Sequence, residues 1–459
     1  MPNTGGFNRT FKFGVGFVDI LLYHLSFILT FLIRYTGDRP TFNYSAYISA
    51  LPYIMLAFTL INIFSGIYTL YNKRFIDMFS TTLISQIMMS VIVTAMTFYG
   101  RWFAFPRTII FLNLFVSTIV LVIWRALVLE LYIKNSGTSK VMIVGEHKAC
   151  AQAVANFKAS QSRQYKVTSV SVNNYMENIK NNIENVDVFY FLDFESLDQQ
   201  KEILSYLTLK EKRVFLDTTF ENILRVNNRI MNIDDESLIA VSKFEISPEN
   251  DTIKRMFDIL LSFITIILSS PIMLIAALAI KINSKGPILY KQIRVTKGNK
   301  EFEIYKFRSM RTDAEELSGP VLAEAEDPRV TTVGRNLRSL RIDELPQLFN
   351  VLKGDMSLIG PRPERPFFVD QFQEQNPYYY LRHTVRAGIT GYAQVYGKYS
   401  TGFNHKLRFD LLYIKNYSLV MDIQILFQTV KILFDKVSSQ GVEEEQTIDE
   451  IFEGVTIYE

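Results

Sequence analysis

Two adjacent carboxylates, Asp343 and Glu344, lie in the densest charged block of the chain, which runs from Arg338 through Arg341 to Gln347. Upstream stand Tyr305-Lys306-Phe307-Arg308-Ser309-Met310-Arg311, with Asp313 just beyond, and Asp327-Pro328-Arg329. Downstream, Lys353-Gly354-Asp355 leads into Gly360-Pro361-Arg362-Pro363-Glu364. A carboxylate can hold Mg²⁺ or attack phosphorus, and arginine offers phosphate oxygens a planar fork of donors. Together they suit a metal–phosphate substrate. Neighbours on a helix point about 100° apart, so Asp343 and Glu344 would take different roles. Taken alone, the pair suits a solvated helix face better. Arg362, flanked by prolines, reads as held on a rigid loop. The single cysteine, Cys150, excludes an internal disulfide and a multi-cysteine metal site, and nothing near it marks a nucleophile. Four scattered histidines leave little for zinc.

The elements that position these residues begin far upstream. The chain has 459 residues, 48% of them apolar and only 21% charged, with a net charge of +3 that demands no nucleic-acid partner. Four apolar stretches, at 17–33, 47–68, 79–99 and 108–131, approach or meet the about 20 residues that cross hydrocarbon as a helix. Asp19 and His24 interrupt the first, and Arg125 falls near the end of the fourth. With four spans, Arg9, Lys12, Lys73, Arg74, Arg125, Lys134 and Lys140 share one side, against Arg34, Arg39, Arg101 and Arg107 on the other. The excess puts the N-terminus, and everything after the fourth span, in the cytoplasm.

Val141-Met142-Ile143-Val144-Gly145 then opens a small α/β region expected over 138–245. Further strands are expected at 188–192 and 213–216, with helices at 149–157 and 197–209. Gly145 is followed by Glu146 and lacks the further glycines of a dinucleotide loop, so a structural or regulatory spacer is expected. A fifth apolar run, 257–280, contains Asp258 as its only charge, carries basic residues on both flanks and is interrupted by Ser269-Ser270-Pro271. A kinked span and a helix–break–helix that enters and leaves on one face both fit. In the second case the serine hydroxyls satisfy carbonyls freed at the proline.

Residues 254–436 resemble the catalytic domain of the bacterial polyprenyl-phosphate hexose-1-phosphate transferases, the monotopic phosphoglycosyl transferases that initiate capsule and exopolysaccharide assembly. With the preceding spans and α/β region, the whole chain resembles the large form of that family. The resemblance rests on Phe307-Arg308-Ser309-Met310, Asp343-Glu344, Pro361-Arg362-Pro363 and the block Arg386 to Gly397. Ala387, Tyr392 and Lys398 depart from the commoner proline, tryptophan and arginine, which weakens any assignment of the sugar.

The resemblance implies α/β architecture plus membrane helices. The expected parts are a four-span membrane domain (1–135), a Rossmann-like domain (138–245), a catalytic domain with a re-entrant helix (250–436) and a solvated acidic tail (437–459). It implies Asp343 as nucleophile, Glu344 as Mg²⁺ ligand, and Lys306, Arg308, Arg341, Arg362 and Gln394 as substrate-binding residues. The implied reaction transfers hexose 1-phosphate from a UDP-hexose to undecaprenyl phosphate and releases UMP, with glucose or galactose as the leading sugars. The expected setting is the bacterial cytoplasmic membrane, with the catalytic domain on its cytoplasmic face and a homodimer as the assembly. Two other readings compete. A membrane-tethered sugar-nucleotide dehydratase or epimerase needs a glycine-rich NAD loop, which neither Gly145 nor Gly286 opens. A non-catalytic membrane scaffold is disfavoured by the intact Asp343, Glu344, Arg308 and Arg362.

Overall fold

The computed structural model describes residues 9–35, 41–69, 75–160, 164–192, 197–283, 285–311, 329–397, 402–434 and 448–459. Arg39, Lys73, Arg74, Asp313, Asp327, Lys398 and the glutamates Glu443, Glu444 and Glu445 lie outside those residues. The chain forms two units, Met1–Asp217 with Val442–Glu459, and Thr218–Gly441.

In the first unit the four apolar stretches are helices Arg9–Arg34, Thr41–Phe64, Phe75–Tyr99 and Arg107–Ser136. Each exceeds the about 20 residues that span hydrocarbon. The helix Pro248–Asn283 of the second unit is also long and apolar enough, which makes five such helices among the described residues, as in a multi-pass membrane protein. The charges that interrupt the first and fourth stretches find each other. Arg125 donates from Nε and Nη2 to Asp19 Oδ2 at 3.1 and 2.7 Å, and also to Asn62 and Thr82. A charge at membrane depth is tolerated when paired in this way. Arg125 is therefore an internal partner of Asp19 and no longer counts among the basic flanks.

The α/β region forms a five-stranded sheet in the order Thr456–Tyr458, Tyr165–Ser171, Ser139–Val144, Val188–Phe191, Arg213–Leu216, with every pairing parallel. Helices His147–Ala159, Tyr175–Asn182 and Leu197–Leu209 connect its strands. A Cβ at Gly145 would lie 2.8 Å from that of Leu192, so close packing between neighbouring strand ends accounts for this glycine. Cys150 is buried, and burial pushes its thiol up to about 12, far from thiolate reactivity.

The acidic tail differs from expectation. Its last twelve residues are not a solvated tail, because Thr456–Tyr458 adds an edge strand and Phe452 enters the core beside Cys150 and Val154. A three-residue strand carries too little periodicity to be recognised in sequence. The α/β domain also ends earlier than 245. From Thr218 onward the chain joins the second unit, where Ile223 and Phe244 enter the core around Val351, Met356 and Ile359. An antiparallel hairpin, Arg229–Ile233 with Glu236–Ala240, lies between them.

The second unit is built on the 36-residue helix Pro248–Asn283. It stays helical through Ser269-Ser270-Pro271, with the proline inside it. Pro271 has no N–H for the carbonyl of Ile267, four residues earlier. Ser270 Oγ donates to that carbonyl at 2.8 Å, and Ser269 Oγ donates to Thr265 O at 2.7 Å. The hydroxyls thus repair what the proline removes. Around this helix stand a hairpin, Leu289–Thr296 with Lys300–Phe307, and a parallel pair, Met356–Ile359 with Ala387–Thr390. Several helices complete the unit.

Candidate active site

Three segments converge on Glu344. Lys306 comes from the hairpin strand Lys300–Phe307. Asp343 and Glu344 occupy a tight 3-10 turn, Ile342–Glu344, rather than a regular helix. Arg362 comes from the loop after strand Met356–Ile359.

The turn is fixed from both sides. Before it, Thr331 Oγ1 caps helix Thr332–Ser339 by accepting from Gly334 N at 3.0 Å. Gly334 lies so close to the segment after Lys306 that a Cβ there would fall 1.9 Å from Ser309 O. Arg338, at the helix end, donates from Nε to Ser309 Oγ at 2.9 Å. The chain then reverses at Arg341, whose φ of 53° is a left-handed conformation that arginine rarely adopts. Such local strain persists only where the surroundings enforce it. After the turn, helix Gln347–Lys353 carries the buried Asn350, which accepts from Tyr305 N at 2.9 Å and donates to Glu303 O at 2.7 Å. Asn350 thereby ties the dyad to the strand that bears Lys306.

The resulting geometry gathers three cations around one carboxylate. Lys306 Nζ lies 3.3 Å and Arg362 Nη2 3.2 Å from Glu344 Oε1, and Arg341 Nη1 lies 3.9 Å from Oε2. Burial works to raise the Glu344 carboxyl, but Arg362, Lys306 and Arg341 outweigh it and hold it at about 2. Asp343 behaves oppositely. Burial first, and the charge of Glu344 second, push its carboxyl up to about 6, against the pull of Lys306 and Arg338. The neighbours are thus electrostatically distinct, one firmly anionic and one poised near neutrality. Environments that drive two carboxyls apart are a mark of acid–base or nucleophilic chemistry. Lys306 is pulled down by burial, although Glu344 opposes the shift.

The other expected binding residues are placed differently. Arg308 is buried and donates from Nη1 to Lys285 O at 2.9 Å, at the end of the long helix. Gln394, on the short helix Tyr392–Tyr396, donates from Nε2 to Ile389 O at 3.3 Å, and no contact joins it to the dyad among the described residues. In the same block, added Cβ atoms at Gly388 and Gly391 would lie 2.1 Å from backbone atoms of Gly360. These glycines allow the backbone carrying the Pro-Arg-Pro segment to pack against its neighbour.

Sequence reasoning missed Arg382 and Asp410. Both are buried and paired at 2.9 Å, and Arg382 Nη2 donates to the backbone carbonyl of Arg362 at 2.9 Å. Neither lies in a charged block, so only their partners mark them.

A metal must be held by few protein groups here. Among the described residues no three His, Cys, Asp or Glu side chains gather to hold one. The expected ligand, Glu344, would suit Mg²⁺, because that ion commonly takes one or two carboxylates and completes its shell with phosphate oxygens and water.

Comparison with known proteins places this architecture in a class. Residues 249–436 match the model of the family described as bacterial sugar transferase. The exopolysaccharide production protein PSS of Rhizobium leguminosarum bv. phaseoli is 44% identical over 186 residues, which are 39% of this chain and 93% of that protein. The chain belongs to the bacterial sugar transferase family. The UDP-N-acetylgalactosamine-undecaprenyl-phosphate N-acetylgalactosaminephosphotransferase of Aeromonas hydrophila is 53% identical over 188 residues, 40% of this chain and 44% of that protein. The UDP-glucose:undecaprenyl-phosphate glucose-1-phosphate transferase of Klebsiella pneumoniae is 40% identical over 214 residues, 46% of this chain and 45% of that protein. The chain thus spans less than half the length of these last two relatives.

Proposed function

We propose that the protein transfers a sugar 1-phosphate from a UDP-sugar to undecaprenyl phosphate, releasing UMP, through a covalent intermediate on Asp343. The reading is carried by the split dyad, a nucleophile candidate near neutrality beside a carboxylate surrounded by three cations. Family membership, and the reactions in the names of the Aeromonas and Klebsiella relatives, support it. Those two names differ in the sugar, so the shared chemistry does not fix the sugar here.

In the first step a carboxylate oxygen of Asp343 bonds to the β-phosphorus of the UDP-sugar. The bond from that phosphorus to the bridging oxygen breaks, and UMP leaves with the electron pair. In the second step an oxygen of undecaprenyl phosphate bonds to the same phosphorus, and the Asp343 carboxylate departs as the anion it was. Arg362, Lys306 and Arg341 bind the phosphate oxygens and offset their charge. The strained turn at Arg341 and the Asn350 tie keep Asp343 oriented for in-line approach. Glu344 would hold Mg²⁺, which would supply electrostatic stabilisation of the diphosphate.

The long helix is read as re-entrant, with both ends on the cytoplasmic face. Residues near both ends dock on the same unit. Lys254 pairs with Asp422 at 2.7 Å, while Ala276 and Ile280 pack with Phe307 and Leu337. Between them Leu260, Phe263, Ile267, Leu268, Leu274 and Ile275 are exposed and apolar, as a membrane-immersed surface requires. A span would send one end to the opposite face. In a Cys150→Ala background, Ile253→Cys and Lys285→Cys should react equally with an impermeant thiol reagent in oriented vesicles; opposite accessibility rejects the re-entrant reading.

The transfer reading is tested without lipid acceptor. Enzyme, Mg²⁺ and UDP-sugar should release about one UMP per active site, and intact mass should gain one sugar phosphate, mapped to Asp343. Asp343→Asn should show neither burst nor adduct. Continuous turnover that strictly requires both substrates bound together, with no trappable adduct, points instead to direct attack by the lipid phosphate.

A further inference from the structure

We propose that Asp258 and Arg382 are positioning residues that hold the segment Leu358–Arg362 from its two ends and so set where the Arg362 guanidinium meets the transferred phosphate. The proposal rests on the transferase reading of the same site.

Asp258 is the only acidic residue in the apolar run of the long helix, and it is fully buried. Burying a carboxylate is costly unless its interactions repay the loss of water. Here Oδ1 accepts from the backbone N–H of Leu358 at 3.0 Å, a hundred residues away in sequence. One turn earlier on the helix, Lys254 is ion-paired to Asp422, and the other oxygen of Asp422 accepts from Tyr413 at 2.7 Å. The membrane helix therefore grips strand Met356–Ile359 through a hydrogen bond from the strand's backbone to a buried carboxyl.

At the other end of the segment, Arg382 spends one donor on the carbonyl of Arg362 and Nε on Asp410 at 3.0 Å. The intervening backbone has little slack. Gly360 N donates to Thr390 O at 2.9 Å, and Gly388 N donates to Pro361 O at 2.9 Å. Beyond the segment, Arg294 holds the carbonyl of Pro363 at 3.0 Å. The Arg362 side chain emerges from this pinned backbone to reach Glu344. A displacement of the backbone by about 1 Å can cost about a hundredfold in rate when it moves a group that positions substrate. Placing one of the two anchors on the membrane helix makes the geometry of Arg362 depend on how that helix is seated.

A positioning role and a merely structural one diverge in a double-mutant cycle. Four full-length proteins are compared by kcat/KM for UMP release in nanodiscs with undecaprenyl phosphate: wild type, Asp258→Ala, Arg362→Ala and the double variant. Asp258→Ala should lower activity about tenfold in the wild-type background and less than about twofold once Arg362 is alanine, because residues acting as one unit are not additive. Asp258→Asn keeps an acceptor oxygen for Leu358 and should restore activity to within about twofold of wild type. The same cycle with Arg382→Lys, which keeps the charge and loses the fork, should show the same coupling. It decides the matter should Asp258→Ala fail to accumulate. Equal losses in both Arg362 backgrounds, or no rescue by asparagine, would overturn the proposal. Absence of UMP release from wild type with any UDP-sugar would instead sink the transferase reading itself.

Discussion

Asp19 in the membrane bundle and Glu344 in the catalytic unit are both carboxylates held by arginine, yet their surroundings are balanced differently. Around Asp19 the charge closes. One arginine meets one aspartate, and Arg125 also donates to the neutral side chains of Asn62 and Thr82. Around Glu344 it does not, because Lys306, Arg362 and Arg341 all lie within 4 Å of one carboxylate. A buried pair of one cation and one anion is neutral as a unit. A site that receives a diphosphate keeps cationic capacity for charge that arrives with the substrate. The difference separates a pair that closes on itself from one with cationic capacity left over, which the proposed transfer would use, although both would look alike as isolated acid–base contacts.

The largest expected effect concerns the charge the site is built to receive. Removing Mg²⁺ with excess chelator should lower UMP release by at least about a hundredfold, and added Mg²⁺ should restore it, because Glu344 would otherwise meet the diphosphate without the metal that offsets its charge. Full turnover in chelator would show that Lys306, Arg341 and Arg362 suffice alone.

The next test sets the two regions directly against each other. Arg362→Ala should cost about a hundredfold in kcat/KM, the usual scale for losing one preorganised donor to a developing charge, with little change in thermal stability. Arg125→Ala should do the reverse. It strands Asp19 in the bundle, at about 3–5 kcal/mol for a buried pair broken on one side. Replacing both partners, Asp19→Leu with Arg125→Met, should recover much of that stability, since nothing is left unpaired. If the double replacement abolished transfer while the bundle stayed folded, the bundle pair would have a role beyond packing.

A smaller effect follows from the Asp343 carboxyl, which burial and Glu344 raise to about 6. A raised value means that the group holds its proton to higher pH. Attack needs the unprotonated form, so kcat/KM should fall as pH drops below about 6, towards tenfold per unit. Bound Mg²⁺ favours the anion and moves this limb lower. Activity rising on acidification would remove Asp343 as the attacking group.

What could be read from sequence followed the range of the interactions. The four apolar stretches and the strand at 213–216 announce themselves through local pattern, because hydrophobic periodicity needs no distant partner. Asp343, Glu344 and Arg362 stand out because charged residues and prolines crowd into short runs there. Their encounter with Lys306 is a tertiary fact, produced by the Asn350 tie and the turn at Arg341. Gln394 is expected to bind substrate because a glycine-rich block invites a ligand; in that block Gly388 and Gly391 serve close backbone packing with Gly360. Arg382 stayed hidden because its partners, Asp410 and the carbonyl of Arg362, lie 28 and 20 residues away. The continuity of the helix through Pro271 was not legible either, since it depends on which carbonyl the Ser270 hydroxyl selects.

The smallest expected effect on transfer comes from the end of the chain, where the two regions can be uncoupled. Phe452 is buried against Cys150 and Val154, and the strand that follows pairs along Ser169–Ser171. Tyr458 further donates its hydroxyl to Asn182 at 2.9 Å. None of these contacts involves a residue of the Asp343–Glu344 site. Phe452→Ala leaves a cavity of aromatic size, with a typical cost of about 3–5 kcal/mol to the stability of the α/β domain. Hydrogen exchange should therefore speed up in strands Tyr165–Ser171 and Ser139–Val144, while protection around Met356–Ile359 stays unchanged. UMP release should stay within about twofold of wild type at temperatures where the α/β domain remains folded. A loss of transfer tracking the loosened sheet would show that this domain supports catalysis, and the closed charge balance of the first unit would no longer mark it as purely architectural.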